Sequence, residues 1–413
     1  MTNQPIRVLW FTPRFPFPPD TGAKIHVAET ARNISGRFQI SLISLYNRRR
    51  EKPPSEKDIT EAKKYFHMVK TFPCDFPGKG GRLGKLFYAV FGRNPLYVAN
   101  CTAAEAWPEV QRVVGAEKCR LVQADEIYSA KYLVSIPGIK KVLILHNVDS
   151  LMLWRSFLYH PNILHKGFFL MQAWKMRHYE RTIIPKFDYC FCFSEVDKGI
   201  FERAFGGKVR FGVFSNGVDT KAKSILPKPD NQDLLFVGTF DYHPNALAVE
   251  WFLKEIFPLV LKKIPAVRFF AVGCHPPTRL KKWEHRLPVT FAGYAEDIEE
   301  WYHRTAITVV PVRIGSGTRG KILEAMAYGR PVVSTTVGAE GLKVTAGKDI
   351  LIADRPEKFA GNVVSLLRDS ELYKRVAVNA RQTVEEKYDW KFIAADLEKS
   401  YSEILGDTKS SHS

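Results

Sequence analysis

The chain has 413 residues, 45% hydrophobic and 25% charged, a soluble globular balance that suits two domains of about 200 residues rather than one core. No run approaches the ~20 apolar residues that span a bilayer, and the N-terminal MTNQPIRVLWFTPRFPFPPD offers only VLWF where a secretory leader needs a longer apolar stretch. The net charge of +18 is uneven: residues 1–225 hold 35 Lys and Arg against 19 Asp and Glu, and the remainder 26 against 24.

Short apolar runs alternate with amphipathic segments throughout, the pattern of parallel α/β units. In the first half the predicted strands are IRVLWF (6–11), QISLISL (39–45), LVQA (121–124), KVLILH (141–146), YCFCFS (189–194) and VRFGVF (209–214). Between them lie a charged loop, NRRREKPPSEKD, and a Gly-rich one, PGKGGRLG. Residues 216–233, NGVDTKAKSILPKPDNQD, are polar, contain proline and lack periodicity, so they read as a linker. The second half restarts with LLFVG (234–238), a helix in NALAVEWFLKEIFPLVLKKI, then strands VRFFAVG (267–273), VTFAG (289–293) and ITVVPV (307–312). A helix, the strand PVVST and the strand DILIA (349–353) follow. In the closing helix Trp390, Ile393, Ala394, Leu397, Tyr401 and Ile404 recur at helical spacing, ahead of a polar tail.

The expected organisation is a first Rossmann-like domain over 1–215, a linker over 216–233 and a second such domain over 234–388. A helix over 389–405 returns to the first domain, and 406–413 is a disordered tail. The six cysteines show no CxxC pair; Cys190 and Cys192 alternate onto one face of a strand, and all read as free thiols of a reducing, cytoplasmic compartment.

The stretch richest in chemistry is GSGTRGKILEAMAYGRPVVST (315–335). Its first six residues fit G-x-G-x-x-G, with a strand before, a helix after and Glu340 about 20 positions on, as a dinucleotide fold requires. Three features oppose NAD. The motif sits near the fifth strand of its domain rather than the first. The two first βα turns, TPRFPFPPDTGAK and GTFDYHPNA, are not dinucleotide loops. Arg319 and Lys321 place two cations where such loops offer bare backbone.

What remains is a glycine-containing turn with two cations at a helix N-terminus. Backbone amides and the helix dipole favour an anion there, Arg adds a bidentate fork and Lys a point charge. Glu324, one turn further, is placed to accept from sugar hydroxyls, so cations backed by a carboxylate suit a nucleoside diphosphate. Taken alone, Glu324 is equally a solvated helix residue.

GTRGKILEAMAYGRPVVSTTVGAEGL resembles the nucleotide-sugar signature of retaining family 4 glycosyltransferases with the GT-B fold, two doubly wound Rossmann-like domains facing across a cleft. FSNGVD (214–219), FVGTFDYHPNALAVEWF and LILHNVDS resemble further pieces of that family, most specifically over 234–342. The resemblance implies a hexosyltransferase in polysaccharide, lipopolysaccharide or glycolipid assembly. Its donor is a nucleoside-diphosphate sugar, its acceptor a glycan or lipid-linked species, and it needs neither metal nor cofactor.

By the same resemblance Glu324 holds the ribose, Gly22 lies near the donor phosphates and sugar, His146 binds the donor sugar near the reacting carbon, and Tyr294 stands where the base is read. Gly315, Ser316, Gly317 and Thr318 form the donor loop. Two departures matter. Ser316 stands where many members have a first glutamate, and the turn 238–245 after the first strand of the second domain lacks the usual Arg and Lys. The leaving diphosphate still needs positive charge, so that duty is expected to pass to Arg319 and Lys321. There is no DxD motif, and no His, Cys or Asp residues stand at metal-ligand spacing.

The basic first half admits phosphorylated substrate, an anionic membrane surface or nucleic acid. LWRSFLYHPNILHKGFFLMQAWKMRHYERTIIPK (153–186) interleaves cations with aromatics; it reads as a basic helix lying on the inner face of the cytoplasmic membrane or as one packed on the next strand. Nucleic acid is disfavoured because no recognisable module appears and the basic residues are dispersed. The sequence also admits a GT-B epimerase, a phosphorylase, for which no pyridoxal-phosphate lysine is identifiable, and a degenerate transferase suggested by Ser316.

Overall fold

The computed structural model describes residues 5–48, 51–76, 81–160 and 162–406. It divides into two units, residues 1–215 with 390–413, and residues 216–389. Among the described residues no helix is long and apolar enough to cross a membrane.

The first unit holds strands β1 (Ile6–Thr12), β2 (Phe38–Asn47), β3 (Met68–Cys74), β4 (Leu121–Asp125), β5 (Lys140–Leu145), β6 (Tyr189–Cys192) and β7 (Phe211–Val213). They form one parallel sheet in the order β3-β2-β1-β4-β5-β6-β7, with Val8 opposite both Ile40 and Leu121. Its helices are α1 (Gly22–Asn33), α2 (Glu56–Ala62), α3 (Gly81–Phe91), α4 (Leu96–Asn100), α5 (Ala106–Ala116), α6 (Asp149–Tyr159), α7 (Ile163–Ile183) and α8 (Glu195–Phe205).

Strict alternation decides which face each strand residue covers. Leu9, Phe11, Ile43, Val122, Leu143, Cys190 and Cys192 enter one core. Val8, Trp10, Leu42, Val142, Ile144 and Phe191 enter the other. Both faces are dry, which is why these strands read as unbroken apolar runs.

The second unit contains β8 (Leu234–Val237), β9 (Phe269–Val272), β10 (Val289–Gly293), β11 (Ile307–Val310), β12 (Val332–Ser334) and β13 (Leu351–Ile352). These too are parallel, ordered β10-β9-β8-β11-β12-β13. Around them lie α9 (His243–Trp251), α10 (Phe257–Lys263), α11 (Thr278–Lys281), α12 (Ile298–Arg304), α13 (Gly320–Ala327), α14 (Pro356–Arg368) and α15 (Ser370–Lys387). The last helix, α16 (Trp390–Leu405), packs in the first unit. There Trp390, Ile393, Leu397, Tyr401 and Ile404 join the core with Val8 and Trp10. Trp10 Nε1 donates to the Tyr401 hydroxyl at 3.0 Å, and that hydroxyl donates to Gln123 Oε1. The tail expected to be disordered lies, from residue 407, outside the described residues.

Four local outcomes differ from the sequence reading. Edge strand β3, MVKTFPC, is half-buried and interrupted by Lys70 and Pro73, so its signal was weak. The expected Gly-rich loop is, from Gly81 onward, helix α3, and its residues 77–80 lie outside the described residues. The basic aromatic segment is two helices: α6 ends at Tyr159, and Asn162 starts α7 by accepting from the amides of Leu164 and His165. The helix after β8 is broken by a π-helical turn over Phe252–Ile256, just before Pro258, which has no N–H to donate.

Residues 216–233 cluster with the second unit. Arg381 donates to the carbonyls of Thr220 and Lys223, and Arg330 to those of Leu226 and Pro227, so this segment is pinned along its length.

Candidate active site

In the second unit the strand order reverses between β8 and β11, and an open α/β sheet binds ligands outside the carboxyl ends of its strands at such a point. Two loops meet there, 238–242 after β8 and 311–319 after β11. Lys321, on the first turn of α13, reaches across to the β8 loop: its Nζ donates to Asn245 Oδ1 at 2.9 Å and lies 4.1 Å from the centre of the Phe236 ring. Asn245 in turn donates to Thr239 O at 2.7 Å. Gly238 has φ +152°, and a Cβ there would stand 2.6 Å from Lys321 Nζ and 2.7 Å from Asn245 Nδ2. A backbone stripped of its side chain is what lets the ammonium come so close. Burial, with repulsion from Arg319 second, pulls the Lys321 ammonium down to about 7.

Arg319 does not project freely. Its Nη1 donates to the carbonyls of Ser316 and Gly317, folding the guanidinium back on its own loop. Gly315 and Gly317 take φ of +145° and +74°, and a Cβ on Gly315 would run into the guanidinium. Nη2 of Arg319 is buried without a hydrogen-bond partner, a costly condition for a cation's donor. Ser316 and Thr318 are buried, and Asn216 holds the loop through the Thr318 carbonyl at 3.0 Å.

One turn along α13, Glu324 forms an ion pair with Lys223 at 3.1 Å and accepts from the Tyr302 hydroxyl at 3.3 Å. Lys223 also donates to the Tyr328 hydroxyl at 3.0 Å and sits over that ring. Tyr294 follows Gly293 at the end of β10 and is 58% exposed. The switch point therefore gathers Gly315 to Thr318, Arg319 and Lys321, with Glu324 engaged by a lysine that the sequence reading left in a linker. Sequence reasoning missed Asn245, Phe236, Lys223 and Tyr302. Only the Pro-Asn start of α9 carried a local signal, and it is one of a helix end rather than of a ligand.

Gly22 and His146 belong to the first unit. Gly22 opens α1, and a Cβ there would meet open space. His146 follows β5 and forms a hydrogen bond with Asp125 at the end of β4, Nε2 to Oδ1 2.8 Å. Burial opposes the charged ring, but the Asp125 carboxylate overcomes it and the net direction is up. His26 of α1 faces His146 edge-on with ring centres 5.3 Å apart; burial holds it well below the ordinary range, and its Nε2 lacks a hydrogen-bond partner.

Ligand atoms of His26, Asp125 and His146 all lie within 4.8 Å of one another, a set able to hold a metal ion. The absence of metal-ligand spacing along the sequence does not bear on this set. The three residues come from α1, β4 and the end of β5, and no spacing along the chain could show that they meet. Beside them Glu126, buried with φ +59°, pairs with Arg14 at 2.6 Å. A buried non-glycine residue in the left-handed region is strain that the Arg14 pair helps to hold. Asp149, buried and accepting from Tyr128 at 2.7 Å, is pushed up to about 8 by burial.

Comparison with known proteins gives this geometry a class. Residues 231–369 match the profile of the family described as Glycosyl transferases group 1. An uncharacterized 44.6 kDa protein in the cps region of Klebsiella pneumoniae is 23% identical over 303 residues, 68% of this chain and 73% of that one. An uncharacterized glycosyltransferase of Methanocaldococcus jannaschii is 26% identical over 195 residues, 45% of this chain and 49% of its own length. Sucrose-phosphate synthase from Thermosynechococcus elongatus superposes with TM-score 0.69 at 16% identity, covering 98% of this chain and all of that one, 100%. HepE of Anabaena, in complex with UDP and glucose, gives 0.66 at 16% identity over 96% of this chain and 100% of its own.

Two doubly wound units and these structural neighbours define a GT-B fold. The match to the group 1 glycosyltransferases lies within the second unit, over residues 231–369.

Proposed function

We propose that the protein moves a sugar from a nucleoside-diphosphate sugar to a glycan or lipid-linked acceptor, with retention at the anomeric carbon, in polysaccharide, lipopolysaccharide or glycolipid assembly. The observation that carries the donor half is the half-buried pair of cations, Arg319 with a buried, unsatisfied Nη2 and Lys321 poised near neutrality, at the switch point of the second sheet. A diphosphate would give Nη2 its acceptor and restore the charge of Lys321. The Anabaena neighbour, solved with UDP and glucose, supports a UDP-linked donor.

In this reading the bond from the anomeric carbon to the diphosphate oxygen breaks as the acceptor oxygen bonds to the same face of that carbon. The acceptor proton passes to the departing phosphate. Arg319, Lys321 and the α13 N-terminus take up the charge that develops on the leaving group, in place of a metal. Glu324 accepts from the ribose diol, Tyr294 lies beside the base, and Gly315 to Thr318 wrap the donor. His146, held by Asp125, positions the donor sugar with Gly22 nearby. The protein acts at the inner face of the cytoplasmic membrane.

A thermal-shift panel with UDP, GDP, ADP, CMP, NAD and a short DNA duplex, run on wild type and Glu324→Ala, tests the donor site. A ligand at about 100 times its dissociation constant stabilises by about 2.7 kcal/mol, a shift of a few degrees for a chain this size. One nucleoside diphosphate is expected to shift the wild type and not the variant. Shifts with NAD or DNA alone would overturn the reading, and binding without donor hydrolysis would mark a degenerate transferase.

A further inference from the structure

Helices α3, α6 and α7 form one corner of the first unit. Lys175 and Gln172 of α7 donate to the Ala89 carbonyl at 2.8 and 2.9 Å, and Lys175 also takes the carbonyls of Val90 and Gly92 at 2.8 Å, which fastens the end of α3 to α7. The outward side of these helices is unusually apolar. Leu83, Phe87 and Phe91 on α3 are 79, 67 and 71% exposed, and Ile163 and Trp174 on α7 are 76 and 72% exposed. Along α7 the residues at helical spacing, Ile163, Gly167, Leu170, Trp174, Arg177 and Arg181, make one stripe, apolar in its first half and cationic in its second.

Charge says what covers this face. Residues 83–100 contain Lys85 and Arg93 and no acidic residue. Residues 149–186 contain six Lys and Arg, and their two acidic residues, Asp149 and Glu180, are both buried. The face therefore offers large apolar side chains and cations to solvent with no exposed carboxylate among them. A protein partner normally meets a mixed rim, whereas a surface of aromatics ringed by Lys and Arg alone matches the boundary of an anionic bilayer.

We infer that this α3–α7 face docks on an anionic lipid bilayer, with Phe87, Phe91 and Trp174 entering the headgroup boundary and Arg177 and Arg181 meeting lipid phosphates. The inference gives the proposed lipid-linked acceptor reading a surface, and rests on that reading only for its purpose, because lipid binding is measured without donor or acceptor.

Flotation of the full chain with phosphatidylcholine vesicles, with and without phosphatidylglycerol, at low and high salt, tests it. The wild type is expected to float with anionic vesicles at low salt, and to float less at high salt or without the anionic lipid. Phe91→Glu and Trp174→Glu are each expected to lower the partition coefficient about tenfold, the scale of one large apolar side chain. Arg177→Glu with Arg181→Glu is expected to remove the anionic preference while leaving the aromatics in place. All variants should keep the wild-type circular dichroism and UDP thermal shift. Loss of the UDP response with flotation intact sinks the transferase reading alone. Wild-type protein that stays unbound at low salt, or glutamate variants that float as wild type, would overturn the docking surface. So would a concentration-dependent dimer, dissolved by Phe91→Glu, that ignores vesicles.

Discussion

Lys321 and Asn245 are joined at 2.9 Å across the point where the second sheet reverses its strand order. Asn245 falls within the turn 238–245 that lacks its own cations, so a lysine from α13 is delivered to the β8 loop instead. One consequence is chemical. A Lys321 side chain whose ammonium is pulled down to about 7 is largely the neutral amine above that pH, and takes up a proton when a diphosphate arrives. UDP affinity should fall as pH rises from 6 to 9, because the bound state holds that proton above the pH at which the free state has lost it. In Lys321→Met, affinity should drop by about tenfold or more and the fall with pH should vanish; calorimetric titration at several pH values measures both.

Gly238→Ala should damage the same contact from the strand side. The new Cβ meets Lys321 Nζ at 2.6 Å, in a backbone region that L side chains rarely adopt. A stability loss of about 1–3 kcal/mol is expected, with weaker UDP binding. Urea unfolding with and without UDP reads the two effects; an undisturbed variant would mean that Lys321 lies elsewhere in solution.

Glu324 and Lys223 should separate in their effects. If the ribose diol donates to the carboxylate, Glu324→Ala loses hydrogen bonds to a charged group, about tenfold or more in affinity. Lys223→Met leaves the carboxylate and its Tyr302 donor in place, so UDP binding should weaken by only about threefold. Equal losses would show that Lys223 itself touches the nucleotide.

Asp149 supplies a prediction for stability. Its folded-state carboxyl is raised to about 8 from an ordinary 3.8, so the fold prefers it protonated. That contribution is full below about 3.8 and is lost as pH climbs through about 8. Asp149→Asn keeps a neutral group there at every pH. Its melting temperature should therefore fall less than that of wild type between pH 5 and 8.5, as differential scanning fluorimetry would show.

Much of the second unit was legible because its strands are short apolar runs, most of them bounded by glycine or proline, and because loop, cations and Glu324 are contiguous in sequence. The first unit hid more. β3 is an edge strand whose lysine and proline break the apolar run, and the start of α3 is glycine-rich enough to read as a loop. His26, Asp125 and His146 come together only when two strand ends and a helix are placed side by side. Arg319 shows a subtler limit. The sequence announces a cation at a helix start, but only the folded loop shows that two carbonyls already claim one of its nitrogens while another is buried unmet.

The hydroxyl of Tyr401 lies between Trp10 and Gln123, residues made hundreds of codons earlier. During synthesis the first sheet must therefore wait, its Trp10-bearing face uncovered, while the whole second unit emerges and has time to fold. Only when α16 leaves the ribosome can that face close. A nascent chain stalled at residue 389 would be expected to expose Val8, Trp10 and Phe38 together, a surface that chaperones recognise. Finishing the amino-terminal unit is thus one of the last events in the making of this protein.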